Sequence, residues 1–205
     1  TKVRAEPLVH VLEAVNDVIV KIVELAMKLA PLGVAALIFG VTSRFGFLLL
    51  RPLGLYVALV LFALLLHAAV LLLLVVRLGA GLSPRLFLQR VRSALVTAFS
   101  TSSSNATLPT NIAVAEDGLG IPPHIAGFVL PLGATMCMNG TALFEGVTVL
   151  FLCQVFHVDL SIGQMAIVLV MTVVTAIGAA GVPGGSIPLL VGILVLLGVP
   201  GEGIA

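Results

Sequence analysis

Residues 53–76, LGLYVALVLFALLLHAAVLLLLVV, contain no Asp, Glu, Lys or Arg. A helix needs about 20 predominantly apolar residues to cross a bilayer, and this run exceeds that length. The rest of the chain follows suit. Of its 205 residues, 60% are hydrophobic and 9% are charged, whereas soluble domains are about 25% charged. Too few polar side chains remain to cover a water-facing surface. The expected class is an all-α integral membrane protein, multi-pass in the cell (inner) membrane and in contact with lipid. A net charge of +1 gives no basis for nucleic-acid binding. Residues 1–7 (TKVRAEP) lead into an amphipathic segment and not a short apolar core, so no cleavable signal is expected. Lacking an initial Met, the sequence reads as a piece of a longer protein.

In residues 8–30, Glu13, Asp17, Lys21, Glu24 and Lys28 fall at helical spacing on one stripe. Asp17–Lys21 and Glu24–Lys28 form i,i+4 pairs with the acid first. A helix along the membrane surface, or entering it obliquely, is expected, with a kink at Pro31 before the apolar run 32–41. His67 lies within the spanning run; it is either a functional ionisable group or a neutral His bonded to a neighbouring helix. Residues 42–52 carry Arg44 and Arg51; residues 77–92 carry Arg77, Arg85, Arg90 and Arg92. The excess of positive charge places the second loop on the cytoplasmic side. Cys137 and Cys153 would lie about 24 Å apart on one helix, which excludes a disulfide and makes both packing residues.

The stretch TSSSNATLPTN (101–111) is polar, uncharged and flanked by apolar arms too short to span. Both ends must then lie on one side, with the tip at membrane depth. Non-helical backbone survives there only when buried in protein or lining a watery cavity; the hydroxyls of Ser102, Ser103, Ser104 and Thr107 satisfy freed backbone groups or bind a solute. Residues 122–156 read as a spanning helix broken near Cys137–Gly140, with Glu145 its single charged residue. Residues 161–199 repeat the short arm, small-residue tip and short arm, with AAGVPGGSIP (179–188) as tip. Each tip carries a small residue, a branched aliphatic, a proline and a small residue: Thr107-Leu108-Pro109-Thr110 and Gly181-Val182-Pro183-Gly184. Paired interrupted segments of this kind mark transporter binding sites. Being one crossing apart, the two re-entrant hairpins should enter from opposite sides and form a gated site at the midplane. The sequons at Asn105 and Asn139 fall at membrane depth and are not expected to be glycosylated.

TSSSNATLP, LPLGATMCMNGTALFEG and AIGAAGVPGGS resemble the dicarboxylate/amino acid:cation symporter family, the glutamate transporters. The resemblance implies that residues 1–83 correspond to helices 5 and 6 on the scaffold side. Residues 84–205 correspond to part of the transport core: hairpin 1 (85–116), broken helix 7 (122–156) and hairpin 2 (161–199). Helices 1–4 and 8 of the family are absent, so the 205-residue piece alone is not expected to transport. The implied function is cation-coupled symport of an acidic amino acid or C4-dicarboxylate, a small anionic solute, by a homotrimer, with Na+ and/or H+ as coupling ions, no other cofactor and no enzymatic activity. The basic counter-ion for the substrate would lie in helix 8.

Substrate contacts carry over from the resemblance to Ser102, Ser103, Ser104 and Thr141, and to Gly181, Val182, Pro183, Gly184 and Ser186. Free N–H groups and the positive dipole end at a half-helix N-terminus suit a carboxylate; the bland alternative is that these small residues merely permit close helix packing. Cation ligation carries over to Gly133, Thr135, Cys137, Asn139, Ala176, Ile177 and Ala179, largely through backbone carbonyls. The family's Asn-Met-Asp-Gly-Thr here reads Cys137-Met138-Asn139-Gly140-Thr141. A hard cation prefers oxygen ligands and negative charge, so losing the carboxylate at Asn139 weakens the innermost sodium site. Glu145 stands where proton-coupled members have an acid, and burial favours its neutral form; it is either the proton carrier or a structural Glu bonded to a neighbouring helix. Two rivals remain: a passive channel, since re-entrant loops also build channels, and an intramembrane serine hydrolase using Ser103 with His67 or His124, for which no nucleophile-elbow pattern exists.

Overall fold

A computed structural model describes residues 2–46 and 50–199. Every regular element among them is helical. The chain divides into two compact units between Gly54 and Leu55.

The first unit is dominated by one helix, α1 (Lys2–Phe45). It continues through Pro31. Thr42 and Ser43 near its end return their hydroxyls to the carbonyls of Ile38 (2.7 Å) and Gly40 (2.9 Å), so neither presents an unsatisfied donor to an apolar medium. Gly46 ends the helix at φ +74°, its N–H bonded to the Thr42 carbonyl. The acidic side chains of the predicted pairs, Asp17 and Glu24, lie outside the described residues, as do those of Glu13 and Arg44.

The spanning run forms α2 (Leu50–Leu71), which continues as a π-helical segment, Leu72–Gly79. Its leucines and valines point outward along most of its length, as a lipid-facing helix requires. Short helices α3 (Pro84–Arg90) and α4 (Arg92–Thr101) descend to a two-residue tip, and α5 (Ser104–Ala113) returns, packed against α4. The helix break here is shorter than the polar run that signals it: Asn105, Thr107 and Pro109 already belong to α5. After a π-helical turn (Val114–Gly118) come α6 (Pro123–Met136) and α7 (Asn139–Val155). Only Cys137 and Met138 separate them, where interruption was expected to reach Gly140. A capping box of Ser161 and Gln164 starts α8 (Ile162–Gly178). The second tip follows, and α9 (Ile187–Leu196) returns.

The core sits where α7, α8 and α9 meet. Val149 and Cys153 of α7, Val168 of α8 and Leu190, Ile193 and Leu194 of α9 are all buried. Cys153 therefore packs as expected. Cys137 does not: it is exposed at the α6–α7 break, where helical packing is interrupted.

Tyr56 fastens α2 to α7. Its ring stacks on Phe151 with centroids 4.6 Å apart, and its hydroxyl lies 2.7 Å from the Thr148 hydroxyl. Thr148 gives its own proton to the Phe144 carbonyl, so Tyr56 is the donor. Tyr56→Phe should cost about 0.5–1.5 kcal/mol. Thermal unfolding in detergent would measure it; an unchanged midpoint would mean that this bond contributes nothing.

Candidate functional site

The two helical hairpins meet tip to tip. Ser102 takes the left-handed conformation (φ +48°), an uncommon one for a residue with a side chain, and this reverses the chain within two residues. Ser103 then caps α5: its hydroxyl oxygen accepts from the Ala106 N–H at 3.2 Å. The same hydroxyl donates to the Gly181 carbonyl of the second tip at 2.7 Å, and the Asn105 N–H donates to that carbonyl at 3.2 Å. Behind the cap, Thr107 is buried, and its hydroxyl donates to the Ser103 carbonyl at 2.7 Å. Thr101 donates to the Thr97 carbonyl and accepts from the Ser103 N–H. The hydroxyl-rich run thus satisfies its own backbone at a place where helical bonding stops.

Glycine is needed on the opposing side. A Cβ on Gly181 would lie 2.9 Å from Asn105 Oδ1 and 3.2 Å from Ser104 Cβ. Gly184 sits at φ +72°. At Gly185 a side chain would run into the Ala180 carbonyl oxygen of the same tip. Of the expected substrate contacts, the structure joins Ser103 to Gly181 and sets Ser104 beside them. Ser102 and Val182 are exposed next to the junction. Thr141 lies in the first turn of α7 with its hydroxyl 4.0 Å from the Met138 sulfur. Among the described residues no hydrogen bond ties Thr141 to either tip, and none joins Ser186, itself in the second tip, to the first.

A second feature lies at the α6–α7 break. A cavity of about 420 Å3 is lined by His67, Met138, Asn139, Thr172, Ala176 and Ile177, among others. Three of the expected cation ligands, Asn139, Ala176 and Ile177, are therefore brought to one place. Its polar side chains are an imidazole, an amide and a hydroxyl already bonded to the Leu169 carbonyl. That set supplies no carboxylate. Gly133 and Thr135 precede the break and Cys137 opens it, with the Thr135 hydroxyl turned back to the Leu132 carbonyl at 2.9 Å. Ala179 ends α8, its N–H on the Ala176 carbonyl. His67 Nε2 is buried without a hydrogen-bond partner, so the expected alternative of a His bonded to a neighbouring helix is not found at that nitrogen.

Glu145 is fully buried between α7 and α8. One carboxyl oxygen, Oε2, lies 2.8 Å from the Thr175 hydroxyl; the other, Oε1, meets no partner. The sequence pointed to no site role for Thr175, and marked Asn105 only as a sequon. The signal for Thr175 was a hydroxyl in the otherwise apolar arm VLVMTVVTAIG, with nothing to say which side chain faced it.

The family described as the sodium:dicarboxylate symporter family matches residues 1–205. Over 200 residues the chain is 39% identical to the proton/glutamate-aspartate symporter of Escherichia coli (strain K12), a match that covers 98% of this chain and 45% of that protein. It is 38% identical to excitatory amino acid transporter 3 of Homo sapiens, covering 97% of this chain and 38% of that protein. Identity is likewise 38% with the proton/sodium-glutamate symport protein of Bacillus subtilis (strain 168), covering 98% and 47%. The chain spans less than half the length of each of these relatives.

Proposed function

Because the chain belongs to the sodium:dicarboxylate symporter family, we propose that the full-length protein is a cation-coupled symporter that carries an acidic amino acid or C4-dicarboxylate by alternating access. The observation that carries this reading is the junction at Gly181. One carbonyl oxygen there collects the Ser103 hydroxyl and the Asn105 N–H at the N-terminus of α5. A carboxylate oxygen in its place would take the same donors more strongly, because charge-assisted bonds are about twice as strong as neutral ones and the helix N-terminus favours an anion. The second tip must withdraw to admit that carboxylate and return behind it, which is the motion a gate needs. Residues 85–116 and 161–199 act as the two re-entrant hairpins in this reading, and residues 122–156 as the broken helix between them.

The coupling ions are Na+ and/or H+, travelling as cargo, and in this reading coupling leans on H+, with Na+ supplementary and not required. The carboxylate-free cavity at Asn139, Ala176 and Ile177 favours a weakly held Na+ site, while Glu145 is the group suited to carry a proton. The names of the bacterial relatives, which include both proton and sodium symport, support this pairing. The full-length protein works as a homotrimer in the cell membrane, with the arginine-bearing loop 77–92 on the cytoplasmic side.

Direct contact between the tips weighs against a passive channel, since it closes the route between the hairpins. Purified full-length protein in liposomes separates the two. Saturable uptake of labelled aspartate, accelerated by unlabelled aspartate on the far side, is expected of the carrier. Through-flux without such exchange would select the channel.

A further inference from the structure

Among the described residues, Gly181 is the one through which the second tip hydrogen-bonds the first. The rest of that tip bonds to itself. The Val182 N–H donates to the Ala180 carbonyl at 2.8 Å, the Gly185 N–H to the Val182 carbonyl at 3.0 Å and the Ile187 N–H to the Gly184 carbonyl at 3.1 Å. The second tip can therefore leave the first as a wound unit, without unpairing its own backbone. Three groups of the first tip hold Gly181. Two are donors to its carbonyl, the Ser103 hydroxyl and the Asn105 N–H. The third is the Asn105 side chain, whose Oδ1 and Cγ lie 2.9 Å and 3.2 Å from where a Cβ on Gly181 would stand. The amide thus rests against the Gly181 α-carbon, in the space that the missing side chain leaves.

The three holds differ in what a bound carboxylate does to them. In the reading above, the carboxylate takes the two donors in place of the Gly181 carbonyl, so those donors work in both states. The side-chain contact has no second use. It needs the Gly181 α-carbon within van der Waals reach of α5, and a carboxylate standing where the carbonyl stood holds that carbon off. The contact therefore belongs to the empty, closed junction alone. Asparagine suits the place because it is neutral. An aspartate of the same shape would set a negative charge beside both the Gly181 carbonyl oxygen and the incoming anion, where like charges repel.

We infer that Asn105 is a positioning residue whose side chain latches the second tip onto the first while the site is empty, and so competes with the substrate. A closed, empty junction cannot admit a carboxylate, and apparent affinity falls in proportion to the fraction of protein that is open to the ligand. Holding the junction shut therefore weakens binding. Truncating Asn105 acts in the opposite direction to truncating a substrate contact: it tightens binding. The inference rests on the symport reading given above and deepens it.

The test measures the affinity, association rate and dissociation rate of purified full-length protein at fixed pH and sodium, with aspartate or succinate as the ligand, whichever binds the wild type more tightly. Asn105→Ala should bind about two- to fivefold more tightly, the equivalent of one weak Cα–H···O contact. The gain should lie in association, because the latch acts before the ligand enters, with dissociation within about twofold of wild type. Asn105→Ser is too short to reach Gly181 and should behave alike; it stands in if the alanine variant does not fold. In a Gly181→Ala background the tips are already parted, and the gain should vanish. Weaker binding by Asn105→Ala, through faster dissociation, would mean that the side chain serves the substrate. An unchanged affinity would mean that it serves neither state. A gain that persists undiminished beside Gly181→Ala would mean that Asn105 acts elsewhere. Each of these overturns the inference and leaves the symport reading intact. Wild-type protein that binds neither ligand saturably overturns that reading itself.

Discussion

Gly181→Ala in the full-length protein is expected to slow substrate uptake by about 10- to 100-fold. The added methyl would stand 2.9 Å from Asn105 Oδ1, 3.2 Å from Asn105 Cγ and 3.2 Å from Ser104 Cβ. The amide oxygen ends a movable side chain and can retreat. The Ser104 Cβ is fixed to the first turn of α5 and cannot, so the tips must part. Overpacking of this kind costs about 1–3 kcal/mol, and each 1.36 kcal/mol is tenfold in rate. Parting the tips also lengthens the bonds that the Gly181 carbonyl accepts from Ser103 and Asn105. Gly181 has no positive φ, so alanine there tests the contact between tips and not the backbone conformation of either. Uptake within twofold of wild type, at equal protein in the membrane, would show that transport does not require the tips to meet.

Leu194→Ala should destabilise the protein by about 2–3 kcal/mol, the lower part of the range for emptying a leucine site. Leu194 is fully buried in α9 and belongs to the cluster with Val149 of α7 and Val168 of α8. Within a bilayer there is no hydrophobic gain in moving a leucine from lipid to protein, so the transfer part of the usual cost shrinks. The lost packing contacts remain. Val195 next to it is 60% exposed, and Val195→Ala should change stability by less than about 0.5 kcal/mol. Thermal unfolding of the two variants in the same detergent makes the comparison. Equal effects would mean that α9 is not held by this cluster.

Periodicity and chain punctuation made much of this arrangement legible. The uncharged run 53–76 marked α2, the polar run at 101–111 marked the first tip, and AAGVPGGSIP marked the second. The break between α6 and α7 was visible in the crowd of glycine, threonine and asparagine, although it proved only two residues long, since Asn139 and Gly140 can start a helix as well as interrupt one. The π-helical segments at Leu72–Gly79 and Val114–Gly118 carry no comparable signal, because they differ from α-helix by a shift of hydrogen-bond partner. Pairings between elements were the hardest to anticipate. Glu145 was conspicuous as a lone carboxyl, but its partner is 30 residues away on another helix. The Gly181 carbonyl, 78 residues from Ser103, is a backbone group with no mark of its own. Both depend on how helices rotate and slide against one another, which a single sequence does not display.

In the proposed reading the full-length protein couples substrate to cations, with Glu145 carrying a proton and Asn139 leaving the sodium site without its carboxylate. Labelled aspartate uptake into liposomes, driven in turn by an inward proton gradient without sodium and by a sodium gradient at equal pH, tests it most directly. Accumulation above equilibrium is expected with the proton gradient alone. Accumulation that requires sodium and ignores the proton gradient would contradict it, and would assign the coupling to the backbone carbonyls around Asn139 and Ala176.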